Sequence, residues 1–174
     1  MKLFRMSQFL RCFSTPENRS FVQRRIIHLA TKQIVKQNNP ERRGPGSTRE
    51  YDYDRVVELG ICLKLMDFSI GTENIRFILD KWREELRETE GAAYLADYIV
   101  YIPRSLDNDR PKEDTVLVLA EEEMAMLEKV RSVNDGVCYL VIDIGKISAR
   151  ADYADDDNWE RAPKGAAALG LVRK

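Results

Sequence analysis

The side chains best equipped for chemistry in this chain are arginines. Arg42, Arg43 and Arg49 lie on an arm, residues 39–51, that also holds Gly44, Pro45 and Gly46. Glycine accepts positive φ at a turn and proline stiffens the tip, so arginines on the two limbs would project together. Arg19, Ser20, Gln23, Arg24 and Arg25 precede the arm in a stretch of helical patterning. A guanidinium group meets phosphate as a charged fork. In the major groove, Arg can also grip guanine, and Gln adenine, through paired hydrogen bonds. These residue types therefore point to nucleic-acid recognition, with phosphate contacts from the arm and base or phosphate contacts from the helix. Lys32 and Lys36 are secondary candidates. Tyr51, at the end of the arm, either packs at its base or donates to a phosphate. A plain solvated loop with surface arginines is the competing reading of the arm.

The charge distribution agrees with a polyanion partner. The 174 residues have a formal net charge of −1, but the two parts of the chain differ. Residues 1–50 carry eleven Lys/Arg against three Asp/Glu, a net of +8; the remainder carries 17 against 26, a net of −9. A basic third joined to an acidic remainder predicts a nucleic-acid-binding module and a separate sensing, dimerisation or interaction module. Hydrophobic residues are 44% and charged residues 33%, an ordinary globular composition.

Other chemistries find little support. His28 is the single histidine and sits among arginines, without a triad partner or a metal set. Cys12, Cys62 and Cys138 show neither metal-ligand spacing nor a disulfide framework. There is no glycine-rich phosphate loop. Val141–Gly145 reads as a capped strand end. Glu121–Glu123 and Asp155–Asp157 read as a helix first turn and a solvated loop. No catalytic residue, metal or cofactor is expected. The absence of a membrane-length apolar run predicts a cytoplasmic protein. The basic, acid-free stretch Met1–Thr15 also suits an organellar presequence. Its alternative is a first helix.

The elements that must position the arginines follow from spacing. Phe4, Met6, Phe9, Leu10 and Phe13 predict a short helix over residues 6–12. Thr15 as a cap and Pro16 at the first helical position predict a second helix over 16–31, with Val22, Ile26, Leu29 and Ala30 inward and Ser20, Arg24 and His28 outward. One helix a tight turn after another is the helix-turn-helix pattern. Ile34 and Val35 would begin the outgoing strand of the arm, and Thr48–Tyr51 would form the returning strand. A third helix follows from about Asp54, capped by Asp52 or Asp54, with Val56, Leu59, Leu63 and Met66 on one face. After a turn at Asp67–Ser69, with Ser69 as cap, a fourth helix carries Ile75, Ile78, Leu79, Trp82 and Leu86. That stripe is either core or a pairing surface for a homodimer.

Beyond Glu90-Gly91 the pattern changes. Strands are predicted at Tyr94–Ile102, Thr115–Leu119 and Val137–Ile144, with a helix over Glu121–Ser132, which suggests a small βαβ-like unit. The predicted class is α+β. A winged helix-turn-helix domain of four helices and a short wing hairpin spans 1–90, and a small α/β domain spans 91–174.

Three segments resemble the mercury-resistance-regulator (MerR) family of winged-helix DNA-binding proteins. Phe4–Arg11 resembles that family's opening helix. Arg42–Tyr51, a basic pair, a glycine turn and an Arg-x-Tyr, resembles its wing. Val56, Leu59, Leu65, Phe68-Ser69-Ile70 and Ile75–Leu79 resemble its third and fourth helices. The likeness covers residues 3–85. Ile26–Val35 departs from it, lacking the tyrosine pair of the family's second helix, and a strand-rich region stands where the family has a long dimerisation helix. The resemblance implies a transcriptional regulator that holds double-stranded DNA by its wing and second helix. The alternative is a winged-helix adaptor that binds a protein and not DNA. The acidic part is left with an unknown ligand or protein partner.

Overall fold

Apolar residues recurring every three or four positions set the helices of the computed structural model, which describes residues 3–38, 49–88, 97–103, 114–120, 123–124 and 140–155. The described elements are β1 (Phe4–Arg5), α1 (Met6–Phe13), α2 (Arg19–Thr31), β2 (Glu50–Tyr51), α3 (Tyr53–Asp67), α4 (Thr72–Glu88), β3 (Tyr98–Ile102), β4 (Thr115–Leu119), β5 (Leu140–Asp143) and α5 (Ile144–Asp155). They fall into two compact units. One is Met1–Asp67 together with the segment that starts at Lys146; the other is Phe68–Gly145. The predicted boundary at residue 90 lies outside the described residues. The mixed helix and sheet content agrees with an α+β class.

The first unit is built on α3. Val56, Leu59, Ile61, Cys62 and Leu65 are fully buried, and Gly60 brings neighbours close. A methyl group at Gly60 would lie 2.5 Å from Ile147 Cγ2 on α5 and 2.8 Å from the Phe13 ring on α1. Only a glycine lets both side chains approach the helix backbone this closely. The Tyr53 hydroxyl adds a long bond of 3.4 Å to the Ser148 carbonyl. Around α3 pack α2 and β2, with α1 against α2. Phe9 and Leu10 of α1 and Val22, Ile26 and Leu29 of α2 supply the facing core. The one buried charge here, Glu58, takes a 2.7 Å hydrogen bond from Arg55 one turn earlier.

In the second unit, β3 lies between β4 and β5 and runs antiparallel to both. Ile99, Val100 and Tyr101 are buried, so both faces of this central strand are covered. Helix α4 packs against β4, and Asn74 Nδ2 donates to the Tyr101 hydroxyl at 3.0 Å. Ile75, Ile78, Leu79 and Trp82 are buried within the chain, which makes the α4 stripe core. Its other face carries the pairs Arg76–Glu73, Lys81–Glu84 and Arg83–Asp80.

Several expectations need correction. Helix α2 starts at Arg19, because Pro16–Asn18 form a turn in which the Thr15 N–H donates to Asn18 Oδ1 at 2.7 Å. Ile34 and Val35 belong to the stop of α2. Gln33 adopts a left-handed φ of 55°, its N–H returns to the Ala30 carbonyl, and the Ile34 N–H returns to Leu29. This double return satisfies the last carbonyls of the helix and buries Ile34. The returning limb of the arm, β2, pairs instead with β1, Phe4 opposite Tyr51 and Arg5 opposite Glu50. Ser69, at φ 62°, closes the turn after α3 and does not cap α4, whose first turn bonds back to the Gly71 carbonyl. Ile144 opens α5 and does not end a strand. β4 and β5 are parallel to one another but separated by β3, so the βαβ-like reading is split by an intervening antiparallel strand.

Candidate nucleic-acid interface

The polar face of α2 is the most complete group of the predicted contacts. Burial of Val22, Ile26 and Leu29 fixes the rotation of the helix about its axis. Arg19, Ser20, Gln23 and Arg24 are consequently all exposed, as are His28, Thr31 and Lys32 further along. The connection Ser14–Asn18 holds the start of the helix, with Asn18 receiving the Thr15 N–H. Glu17, the one acid near this end, has its carboxyl held below the usual range by a hydrogen bond from Thr15.

Arg25 lies off this face. It is half-buried and donates to Asp67 Oδ1 at 2.5 Å, with a longer bond to the Met66 carbonyl at 3.4 Å. Its guanidinium carbon also sits 4.2 Å from the centre of the Phe21 ring. These contacts bind α2 to the carboxy-terminal end of α3, so Arg25 acts as a strut in this structure.

The base of the arm is built around Asn38 and Asp52. The Asn38 backbone N–H donates to the Glu50 carbonyl at 2.9 Å. Its side chain donates to Asp52 Oδ2 at 2.8 Å and accepts the Asp52 N–H at 2.9 Å. Asp52 Oδ1 accepts the Arg55 N–H at 2.9 Å, so one carboxylate caps α3 and clamps the arm together. On the opposite edge, the Met6 N–H reaches the Arg49 carbonyl at 3.2 Å. Burial, and then the nearby carboxylates of Asp52 and Glu58, raise the pKa of Asp54 against the pull of Arg55.

Tyr51 is fully buried and packs at this base. Burial pushes its phenol up, while the Arg49 guanidinium beside it pulls the other way. Neither the Tyr51 hydroxyl nor Arg49 Nη1, both buried, has a partner in normal hydrogen-bond geometry. Arg42 and Arg43 lie outside the described residues. The structure thus gathers Arg19, Ser20, Gln23 and Arg24 on one face, and places Arg25, Arg49 and Tyr51 elsewhere, in packing.

Arg150 is a residue that sequence reasoning missed, since nothing before the fold places it beside the amino-terminal helices. It lies half-buried, 6.0 Å from the Phe13 ring centre. Burial lowers its pKa, opposed by the neighbouring Cys12. Burial in turn raises Cys12, opposed by Arg150 and Arg11. Burial also lowers Lys64, with Asp67 opposing and Arg150 adding to the effect. Among the described residues, no group of three or more His, Cys, Asp or Glu side chains is arranged to hold a metal ion, and no helix is long and apolar enough to cross a membrane. Compared with known proteins, the chain matches no family model and no curated sequence, so the reading of this face rests on its own geometry.

Proposed function

We propose that this chain is a sequence-specific DNA-binding regulator of the MerR-like winged-helix type, with α2 in the major groove and the arm on the phosphate backbone. The observation that carries this reading is the joint exposure of Arg19, Ser20, Gln23 and Arg24 on a helix whose opposite side is locked into a core. A rigid helix with both fork-shaped and amide donors on its outer face suits base edges, and the +8 balance of residues 1–50 suits the phosphates around them. Arg42 and Arg43 contribute phosphate contacts from the arm, and the acidic remainder serves a ligand, a protein partner or a second copy.

The test is a fluorescence titration of the full chain with duplex DNA over a salt series. Arg24→Ala combined with Arg43→Ala is expected to weaken binding and to reduce the salt slope by about 2, close to one unit for each lost phosphate contact. Unchanged affinity and slope would overturn the proposal. The adaptor reading draws on the acidic remainder and on Phe21, which is 47% exposed on α2. Co-purification of one stoichiometric protein, with no nucleic-acid absorbance, would favour that reading instead.

A further inference from the structure

A single exposed isoleucine is unremarkable on most protein surfaces. Ile27 differs because of its neighbours. It is 39% exposed and lies on the outer face of α2. Helical spacing puts Ser20, Arg24, Ile27 and Thr31 in one line, with Gln23 beside them. The line changes character along its length. Gln23 and Arg24 offer hydrogen-bond donors. Ile27 offers only hydrocarbon. The Thr31 hydroxyl donates to the Ile27 carbonyl at 2.8 Å, which engages its proton within the helix. Arg25, the next candidate donor, is held by Asp67 and Phe21. The amino-terminal part of the face is therefore suited to polar base edges and the next turn to an apolar one.

Thymine supplies the apolar feature of the major groove, its 5-methyl group. Along a helix rising ~1.5 Å per residue, Ile27 stands ~4.5 Å beyond Arg24. Base pairs are spaced by ~3.4 Å. The two side chains are thus set about one base step apart. We infer that Ile27 is a specificity-determining residue that packs on the 5-methyl group of a thymine about one base step from the pair held by Gln23 and Arg24. This inference rests on the DNA-binding reading above and adds to it a base preference.

The experiment starts by enriching a binding duplex from a random-sequence library with the full chain. Each thymine of the enriched duplex is then replaced by uracil, which removes only the methyl group. One replacement is expected to weaken wild-type binding about four-fold, the effect of withdrawing roughly one buried CH2 group. Ile27→Ala is expected to bind with an unchanged salt slope and to lose sensitivity to that replacement. Ile27→Val is expected to retain most of it. Alanine favours the helix, and the site is exposed, so the variant is expected to fold. The inference is overturned if every thymine-to-uracil change is silent, or if Ile27→Ala keeps the same penalty. Enrichment of a duplex with either of those results leaves the DNA-binding reading standing. Failure to enrich any duplex removes both.

Discussion

Arg24 on α2 and Arg49 at the foot of the arm are the same residue type, yet the fold treats them in opposite ways. Arg24 stands in solvent beside Ser20 and Gln23. Arg49 has a buried guanidinium nitrogen next to the fully buried Tyr51. Adjacent residues show the same contrast over a shorter distance. Arg24 is exposed, whereas Arg25, one position on, is drawn into contacts with Asp67, Met66 and Phe21. An arginine-rich stretch therefore contains both contact residues and struts. Rotation about the helix axis separates them on α2, and strand pairing separates them on the arm.

The largest effect separating the two regions is expected in unfolding. Tyr51→Ala should destabilise the protein by about 3–5 kcal/mol, the usual range for emptying a buried aromatic site. Arg24→Ala should stay within about 0.5 kcal/mol of wild type, as exposed substitutions do. Urea midpoints measure both, and similar values for the two would dissolve the distinction. Arg25→Ala should fall between them. Its exposed carboxylate partner limits the ion pair to well under 1 kcal/mol, and the ring contact adds about 0.5–1 kcal/mol. In the DNA titration, Arg25→Ala should leave the salt slope near the wild-type value, where Arg24→Ala lowers it by about 1. A full unit lost from Arg25→Ala would mean that the strut releases and joins the contact face. The smallest effect tests how α2 stops. Gln33 holds a left-handed φ that favours glycine, so Gln33→Gly should raise stability by about 0.5–1 kcal/mol in the same urea series. A loss would show that the Gln33 side chain outweighs its backbone cost.

The parts legible in the sequence were those set by local periodicity. The α1, α3 and α4 helices appear near the expected places because apolar residues at three- and four-residue intervals need only their own segment to be recognised. Asp52 was identifiable as a cap for the same reason, and Thr115–Leu119 as a strand. The start of α2 misled because Pro16 is as compatible with a tight turn as with a first helical position, and Asn18 closes that turn. Helix α5 was hidden because Val141-Ile142-Asp143-Ile144 reads as one β-branched run, although the chain changes to helix at Ile144. Long-range partners were invisible. Arg25 and Asp67 are 42 residues apart, and β2 pairs with a strand that precedes two helices. Of the candidate contacts, the exposed face of α2 follows from helical spacing alone. The inward fate of Arg25, Arg49 and Tyr51 depends on tertiary contacts.

The close seat of Ile147 on Gly60 has a consequence for synthesis. The first compact unit is discontinuous, completed by a segment that begins only at Lys146. At ~5–20 residues/s, a ribosome needs roughly 4–16 s to travel from Asp67 to Lys146. Through that interval α1, α2 and α3 have left the tunnel while one wall of their core has not been made. Such long-separated contacts slow folding, because a large loop must close before they form. The nascent basic third is consequently exposed to chaperones and to premature association until α5 arrives, and the intervening acidic segment is translated first.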